Sequence, residues 1–382
     1  MIVSQKVYST NLSIYLKFNI NPNMFGITFY SVTWKNIIMV KSKAALLKKF
    51  SEPLSIEDVE IPEPKGEEVL IRIGGAGVCR TDLRVWKGVE AKQGFRLPII
   101  LGHENAGTVV EVGELAKVKK GDNVVVYATW GDMTCRYCRE GKFNICKNQV
   151  IPGQTTNGGF SEYMLVKSYR WLVKLNSLSP VEAAPLADAG TTSMGAVRQA
   201  LPFINKFAEP VVIVNGIGGL AVYTIQILRA LMKSVIIVGI SRSKKHRDLA
   251  LKLGVDYAVE MKDAENLINK LTDSLGASVA IDLVGTEETT YNLGKLLAQE
   301  GAIILVGMEG KRVSLEAFDT AVWNKKFLGS NYGSLNDLED VVRLSESGKI
   351  RPYIVKLPLD EINKAFKDLD DGRVEGRQVI TP

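Results

Sequence analysis

Cys135, Cys138 and Cys146 fall within twelve residues of a 382-residue chain that has four cysteines in all, and Asp132 stands three residues before the first of them. One carboxylate and three thiols at these spacings, in Gly- and Arg-containing loop sequence, suit a closed tetrahedral zinc site of the structural kind. Cys135 and Cys138 alone could form a redox pair, but no thioredoxin-like context surrounds them. Buried thiols without a ligand are the third option. The fourth cysteine stands apart, in Gly77-Val78-Cys79-Arg80-Thr81-Asp82, and downstream comes Leu101-Gly102-His103-Glu104-Asn105-Ala106-Gly107. A lone Cys or His is more often core than ligand. Only two histidines exist, however, and His103 sits beside Glu104 in a glycine-flanked loop. A dinucleotide loop further along makes a second metal the better reading.

That loop is Gly216-Ile217-Gly218-Gly219-Leu220-Ala221, entered from the apolar run 211–214 and followed by a helical pattern over 220–231. Gly216 permits a tight turn, and Gly218 lets backbone approach a pyrophosphate. Ala221 allows close helix–sheet packing, and the helix N-terminus offers free N–H groups to anionic oxygens. Gly219 lies within the same loop and is read with it as cofactor-binding. An NAD site usually carries an acid at the end of the second strand for the ribose 2′-hydroxyl. Here the chain reads Gly239-Ile240-Ser241-Arg242-Ser243-Lys244-Lys245, with no acid. Ser241 and Arg242 could hold a 2′-phosphate, with Lys244 or Lys245 helping, which favours NADP over NAD. The plainer alternative is a solvated first helical turn.

The elements that must position these residues divide the chain. Its length suits two or three domains, and 46% hydrophobic with 24% charged residues is ordinary globular composition. A net charge of +6 is too small and too dispersed to argue for nucleic acid. No uncharged apolar run reaches membrane-spanning length. Four cysteines cannot form the disulfide framework of a small secreted protein, which points to a reducing, cytoplasmic setting. Residues 1–38 carry three lysines and no acid, with no sustained period of 2 or 3.6. They are read as an atypical extension, either a stretch preceding a natural start at Met39 or a genuine N-terminal arm. From Met39 to Leu186 short strands alternate with Gly and Pro turns, as at 69–73, 107–112 and 123–127. From 187 to 325 strands at 211–214, 235–240, 280–284 and 302–306 alternate with helical patterns, which predicts a doubly wound parallel sheet. Residues 326–382 are expected to return to the first domain.

Together these motifs, with Ala184-Pro185-Leu186-Ala187-Asp188 and the closing Gly376-Arg377-Gln378-Val379, make the segment from Met39 to Pro382 resemble the medium-chain zinc-dependent alcohol dehydrogenases along its whole length. The resemblance implies an α/β two-domain architecture: a GroES-like β-rich catalytic domain over 39–186, completed by 326–382, and a Rossmann domain over 187–325. It implies a catalytic zinc held by Cys79, His103 and Asp188 with Glu104 adjacent, a structural zinc at Asp132, Cys135, Cys138 and Cys146, and assembly as a dimer or tetramer. Asp188 stands where many members have a second cysteine, so the ligand set is one thiolate poorer than Cys2His. Asp82 is expected to bond the far nitrogen of His103 and fix its tautomer. Thr81 is expected against the substrate oxygen, passing its proton outward. The family's relay usually ends in a histidine five residues after the zinc cysteine, and that position is Arg84, which cannot act as a base. Arg80 and Arg377 are expected to face cofactor phosphate.

The implied reaction is hydride transfer between a primary or secondary alcohol and NAD(P), giving an aldehyde or ketone. Zinc acts as Lewis acid and the Rossmann domain holds the nicotinamide. A polyol or sugar dehydrogenase, or a semialdehyde reductase, is the alternative within the family. Trp86, Trp130 and Tyr127 favour apolar or aromatic substrates over sugars if they line the pocket. A zinc-free quinone or enoyl reductase would leave Cys79, His103 and Asp188 without purpose. A binding protein that had lost catalysis would show broken ligands, and none is broken.

Overall fold

The computed structural model describes residues 39–89 and 95–382 in full, and 2–9, 12–19 and 28–36 as backbone strands. Those three strands, Ile2–Ser9, Leu12–Asn19 and Thr28–Asn36, pair antiparallel in a sheet of their own. Periodicity alone did not mark them. Their β-branched and aromatic residues carry strand propensity without a clean inside–outside alternation. Residues 1, 10–11, 20–27 and 37–38, which belong to the same extension, lie outside the described residues.

The first domain is built on a seven-stranded sheet. Leu172–Lys174, Asn123–Val126, Glu104–Val112, Val69–Gly77, Arg377–Thr381 and Ile354–Pro358 run in that order, with Tyr163–Val166 also paired to Val69–Gly77. A three-stranded sheet of Ser55–Pro62, Met39–Leu47 and Ile99–Ile100 packs beside it. The last strand enters antiparallel, Val379 opposite Gly77 and Ile380 opposite Ala76, so the C-terminal residues are part of the first domain's sheet. That pairing carries Arg377 to the strand ends where Cys79 and Glu104 emerge.

The second domain is a six-stranded, all-parallel sheet: Tyr257–Val259, Ile236–Ile240, Val211–Asn215, Ala277–Asp282, Leu297–Leu305 and Lys326–Gly329. Numbered within the domain this is the order 3-2-1-4-5-6, which reverses beside Val211–Asn215, the point at which such sheets open a crevice at their carboxyl ends. Val211–Asn215 and Ala277–Asp282 are buried at every position, as parallel strands covered on both faces must be. The domain boundary expected at 325/326 falls one strand too early, because Lys326–Gly329 pairs with Leu297–Leu305. A four-residue, half-buried strand beginning with lysine has no apolar run to announce it. Among the described residues no helix is long and apolar enough to cross a membrane.

Candidate active site

The site is assembled at the end of Val69–Gly77, where a short helix, Arg80–Trp86, starts on Cys79 as its N-cap. Asp82, in the first turn, divides its carboxylate. One oxygen accepts the Cys79 N–H at 2.9 Å, and the other faces His103 Nδ1 at 3.0 Å. With Nδ1–H spent on Asp82, the lone pair of Nε2 is left facing the other donors. His103 Nε2 lies 3.3 Å from Asp188 Oδ2, and the Cys79 thiol donates to the same oxygen at 3.6 Å. Asp188 caps the long helix Ala189–Ile204, and its second oxygen accepts the Thr192 hydroxyl at 2.6 Å. Glu104 completes the group. The four ligand atoms of Cys79, His103, Glu104 and Asp188 lie within 4.8 Å of one another, all buried.

Burial pushes the Glu104 carboxyl up to about 7, against the pull of the Arg377 charge and hydrogen bonds. Burial also works against ionised Asp188, but the bond and charge of His103 and the charge of Arg377 hold it well below the usual carboxylate range. Thus three acidic donors and one imidazole share a dry site, an arrangement that a bound cation stabilises. One thiol, one tautomer-fixed imidazole and one ionised carboxylate form a donor set that fits zinc.

The second cluster is Asp132, Cys135, Cys138 and Cys146, again with ligand atoms within 4.8 Å. Asp132 Oδ1 accepts the N–H groups of Thr134 and Cys135 at 2.9 and 3.0 Å, and its other oxygen accepts from Asn148 at 2.8 Å. Burial pushes the Cys138 thiol up to about 12, while the Cys138 N–H holds Cys135 below the usual thiol range. None of the four cysteines is in a disulfide. The loop is tied to the segment after Lys326–Gly329 by reciprocal bonds between Asn144 and Asn331, 2.7 and 2.9 Å.

Across the crevice, Gly216 turns with φ +90°, and a Cβ there would lie 2.5 Å from Val284. A Cβ on Gly218 would meet nothing within 4 Å, so the missing side chain leaves open space at the start of the Gly219–Leu231 helix. That is the cradle a pyrophosphate needs. Ala221 is fully buried. Ser241 and Arg242 follow the strand Ile236–Ile240, and the Ser241 hydroxyl accepts the Ser243 N–H at 3.3 Å. Lys244 pairs with Asp248 at 2.8 Å and Lys245 with Glu375 at 2.6 Å, whereas Arg242 is exposed and has no ion pair among the described residues. Arg247, which the sequence reading missed, donates to the carbonyls of Ser241 and Arg242 at 2.7 and 2.9 Å and fixes that turn.

Several expectations need adjustment. Arg377 is buried and ion-paired to Glu104, and Asp188 lies 3.6 Å from it; its side chain also lies against Gly219 of the glycine loop, Nη1 nearest. Arg80 faces Glu309 at 3.8 Å across the crevice, and Arg84 donates to the Met308 carbonyl. Thr81 is half-buried in the first turn after Cys79. Tyr127 and Trp130 are buried, whereas Trp86 is half-buried. The Tyr127 hydroxyl donates to the Gly333 carbonyl at 2.6 Å, and the buried Trp130 donates to the Tyr127 carbonyl at 2.7 Å. Trp86 bonds the Glu52 carbonyl at 2.6 Å and packs edge-on against Phe366. Tyr127 and Trp130 belong to the core cluster, so those two do not argue for an aromatic substrate.

Comparison with known proteins bears on the same residues. Residues 65–177 match the alcohol dehydrogenase GroES-like domain, and residues 216–347 match the zinc-binding dehydrogenase domain. A D-arabinose 1-dehydrogenase (NADP(+)) of Saccharolobus solfataricus is 91% identical over 348 residues, covering 91% of this chain and 100% of that one. An NAD-dependent alcohol dehydrogenase of Sulfolobus acidocaldarius is 39% identical, covering 88% and 99%. The crystal structure of the D-arabinose dehydrogenase from Sulfolobus solfataricus superposes with a TM-score of 0.84 at 87% identity, covering 90% of this chain and all of that one. The alcohol dehydrogenase of Aeropyrum pernix gives 0.83 at 36%, covering 89% and 100%. With that coverage, the GroES-like and Rossmann domains and the two donor clusters, the chain belongs to the medium-chain zinc-dependent dehydrogenase family, NAD(P)-dependent oxidoreductases that act on CH–OH donors.

Proposed function

We propose that this enzyme is a sugar dehydrogenase that oxidises the C1 hydroxyl of an aldopentose of the D-arabinose class with NADP, giving the lactone, NADPH and a proton. The observation that carries the chemistry is the buried cluster of Cys79, His103, Glu104 and Asp188 at the crevice between the two domains. The 91% identity to a D-arabinose 1-dehydrogenase narrows the substrate to a sugar, the alternative within the family, rather than a simple alcohol.

Cys79, His103 and Asp188 would hold the catalytic zinc, with Glu104 beside it, and Asp132, Cys135, Cys138 and Cys146 a structural one. When bound, zinc supplies Lewis-acid polarisation of the substrate oxygen, and the nicotinamide supplies the hydride acceptor. Asp82 keeps the Nε2 of His103 unprotonated by holding the proton on Nδ1. Thr81 Oγ1 takes the substrate hydroxyl proton and passes it outward. Gly216, Gly218, Gly219 and Ala221 shape the pyrophosphate cradle, and Ser241 and Arg242 hold the 2′-phosphate. That Arg242 is exposed, with no ion pair among the described residues, supports NADP, because a planar guanidinium fork matches a phosphate. Arg80 and the Nη1 of Arg377 stand at the crevice where the cofactor phosphates would pass. A homodimer or homotetramer in the cytoplasm completes the proposal. A panel of aldopentoses, polyols and unsubstituted alcohols with NADP and NAD tests it; turnover confined to unsubstituted alcohols would overturn the substrate assignment.

A further inference from the structure

Gln154 is 2% exposed, and among the described residues neither Nε2 nor Oε1 of its amide makes a hydrogen bond. A buried donor or acceptor left without a partner is costly, so an amide open at both ends is uncommon in a finished core. Its position is specific. Gln154 belongs to the loop 151–159, whose glycines close over the strand entry that carries His103 and Glu104. A Cβ on Gly153 would lie 2.6 Å from the Gly102 nitrogen, and one on Gly158 would lie 2.1 Å from the Gly102 oxygen. The Gly159 N–H donates to the Gly102 carbonyl at 3.0 Å, and a Cβ on Gly159 would strike the Asn105 side chain at 1.8 Å. Three glycines therefore let this loop lie directly on residues 102–105, with Gln154 in its middle.

We infer that Gln154 is a specificity-determining residue that hydrogen-bonds a substrate hydroxyl next to the reacting carbon. An amide offers a donor and an acceptor together, and a hydroxyl is both. Neighbouring hydroxyls of a polyhydroxylated ring satisfy both ends at once. An unsubstituted alcohol satisfies neither, and leaving such groups unpaired is what lets a polar site reject a hydroxyl-poor analogue. The inference rests on the sugar reading above and adds the residue that selects for it.

The test compares the full-length zinc enzyme with its Gln154→Leu variant on D-arabinose and on an unsubstituted secondary alcohol, with NADP. Loss of the amide should lower kcat/KM for the pentose roughly 10- to 100-fold. It should leave the alcohol unchanged or improved and KM for NADP within about twofold. Thermal unfolding without substrate gives an independent readout. Leucine buries no unmet polar atom, so the variant should unfold at the wild-type temperature or above it. Equal losses on both substrates, or an unchanged pentose rate, would overturn the inference, as would a destabilised variant with unchanged selectivity. A wild-type enzyme active on the alcohol and on no pentose would instead overturn the substrate reading, and this inference with it.

Discussion

Arg377 donates from Nε, at 2.8 Å, and from Nη2 to the two carboxylate oxygens of Glu104, a residue 273 positions earlier in the chain, while its Nη1 lies beside Gly219. One guanidinium thus joins the last strand, the candidate metal cluster and the dinucleotide loop. Both partners are buried, so removing the arginine strands a carboxylate in a dry site, at a cost of about 3–5 kcal/mol. Arg377→Met should lower the unfolding free energy by that amount in a denaturant titration. A loss near the level of an exposed pair, under about 1 kcal/mol, would mean the pair is solvated in solution.

The two donor clusters are expected to be independent. Metal analysis of the purified chain should give about two zinc per chain. Cys135→Ser should remove one, lower the melting temperature and leave the other in place. Cys79→Ala should remove the other and abolish alcohol oxidation with the fold intact by circular dichroism. One zinc in the wild type would leave only one of the two clusters as a metal site.

Cofactor choice should reside in Arg242, the cation at the end of Ile236–Ile240 that has no carboxylate partner among the described residues. Arg242→Asp places a negative charge where the 2′-phosphate would lie. The NADP-to-NAD ratio of kcat/KM should fall roughly 100-fold, about 2.7 kcal/mol. An unchanged ratio would move the phosphate contact elsewhere.

His246 supplies a pH signature. Burial, with the charges of Lys245 and Arg80, holds its imidazole below the usual 6.5, although a bond to Val374 opposes the shift. The unfolded chain therefore takes up this proton at a higher pH than the folded one. The His246 contribution to stability is full above pH 6.5 and falls away as the pH drops through 6.5 toward the folded value. His246→Gln should flatten that decline, and NMR of the two histidines should show the His246 midpoint below 6.5. A midpoint above 6.5 would contradict the burial argument.

Much of this site was legible because its physics is local. Gly216 to Ala221 lies between a strand and a helix, and Cys135, Cys138 and Asp132 fit one loop, so spacing alone constrains their geometry. Asp82 and His103 are only 21 residues apart, and the pairing of Gly77 with Glu104 on adjacent strands brings the segments that carry them together. What stayed hidden depends on tertiary pairing. No pattern in Gly376-Arg377-Gln378 says that the arginine turns inward to Glu104. Nothing in Lys326–Gly329 marks a sixth strand, and Tyr127 and Trp130 look like pocket aromatics until their polar atoms are seen bonded to core backbone. Gln154 has no motif at all; only burial without partners singles it out.

The most direct measurement is the initial rate of NADPH formation by the purified chain with D-arabinose, before and after zinc is stripped by a chelator. A pentose-dependent rate that vanishes on chelation and returns with added zinc is the expected result. A rate indifferent to zinc loss, or no NADPH from the pentose where an unsubstituted alcohol reacts, would contradict it.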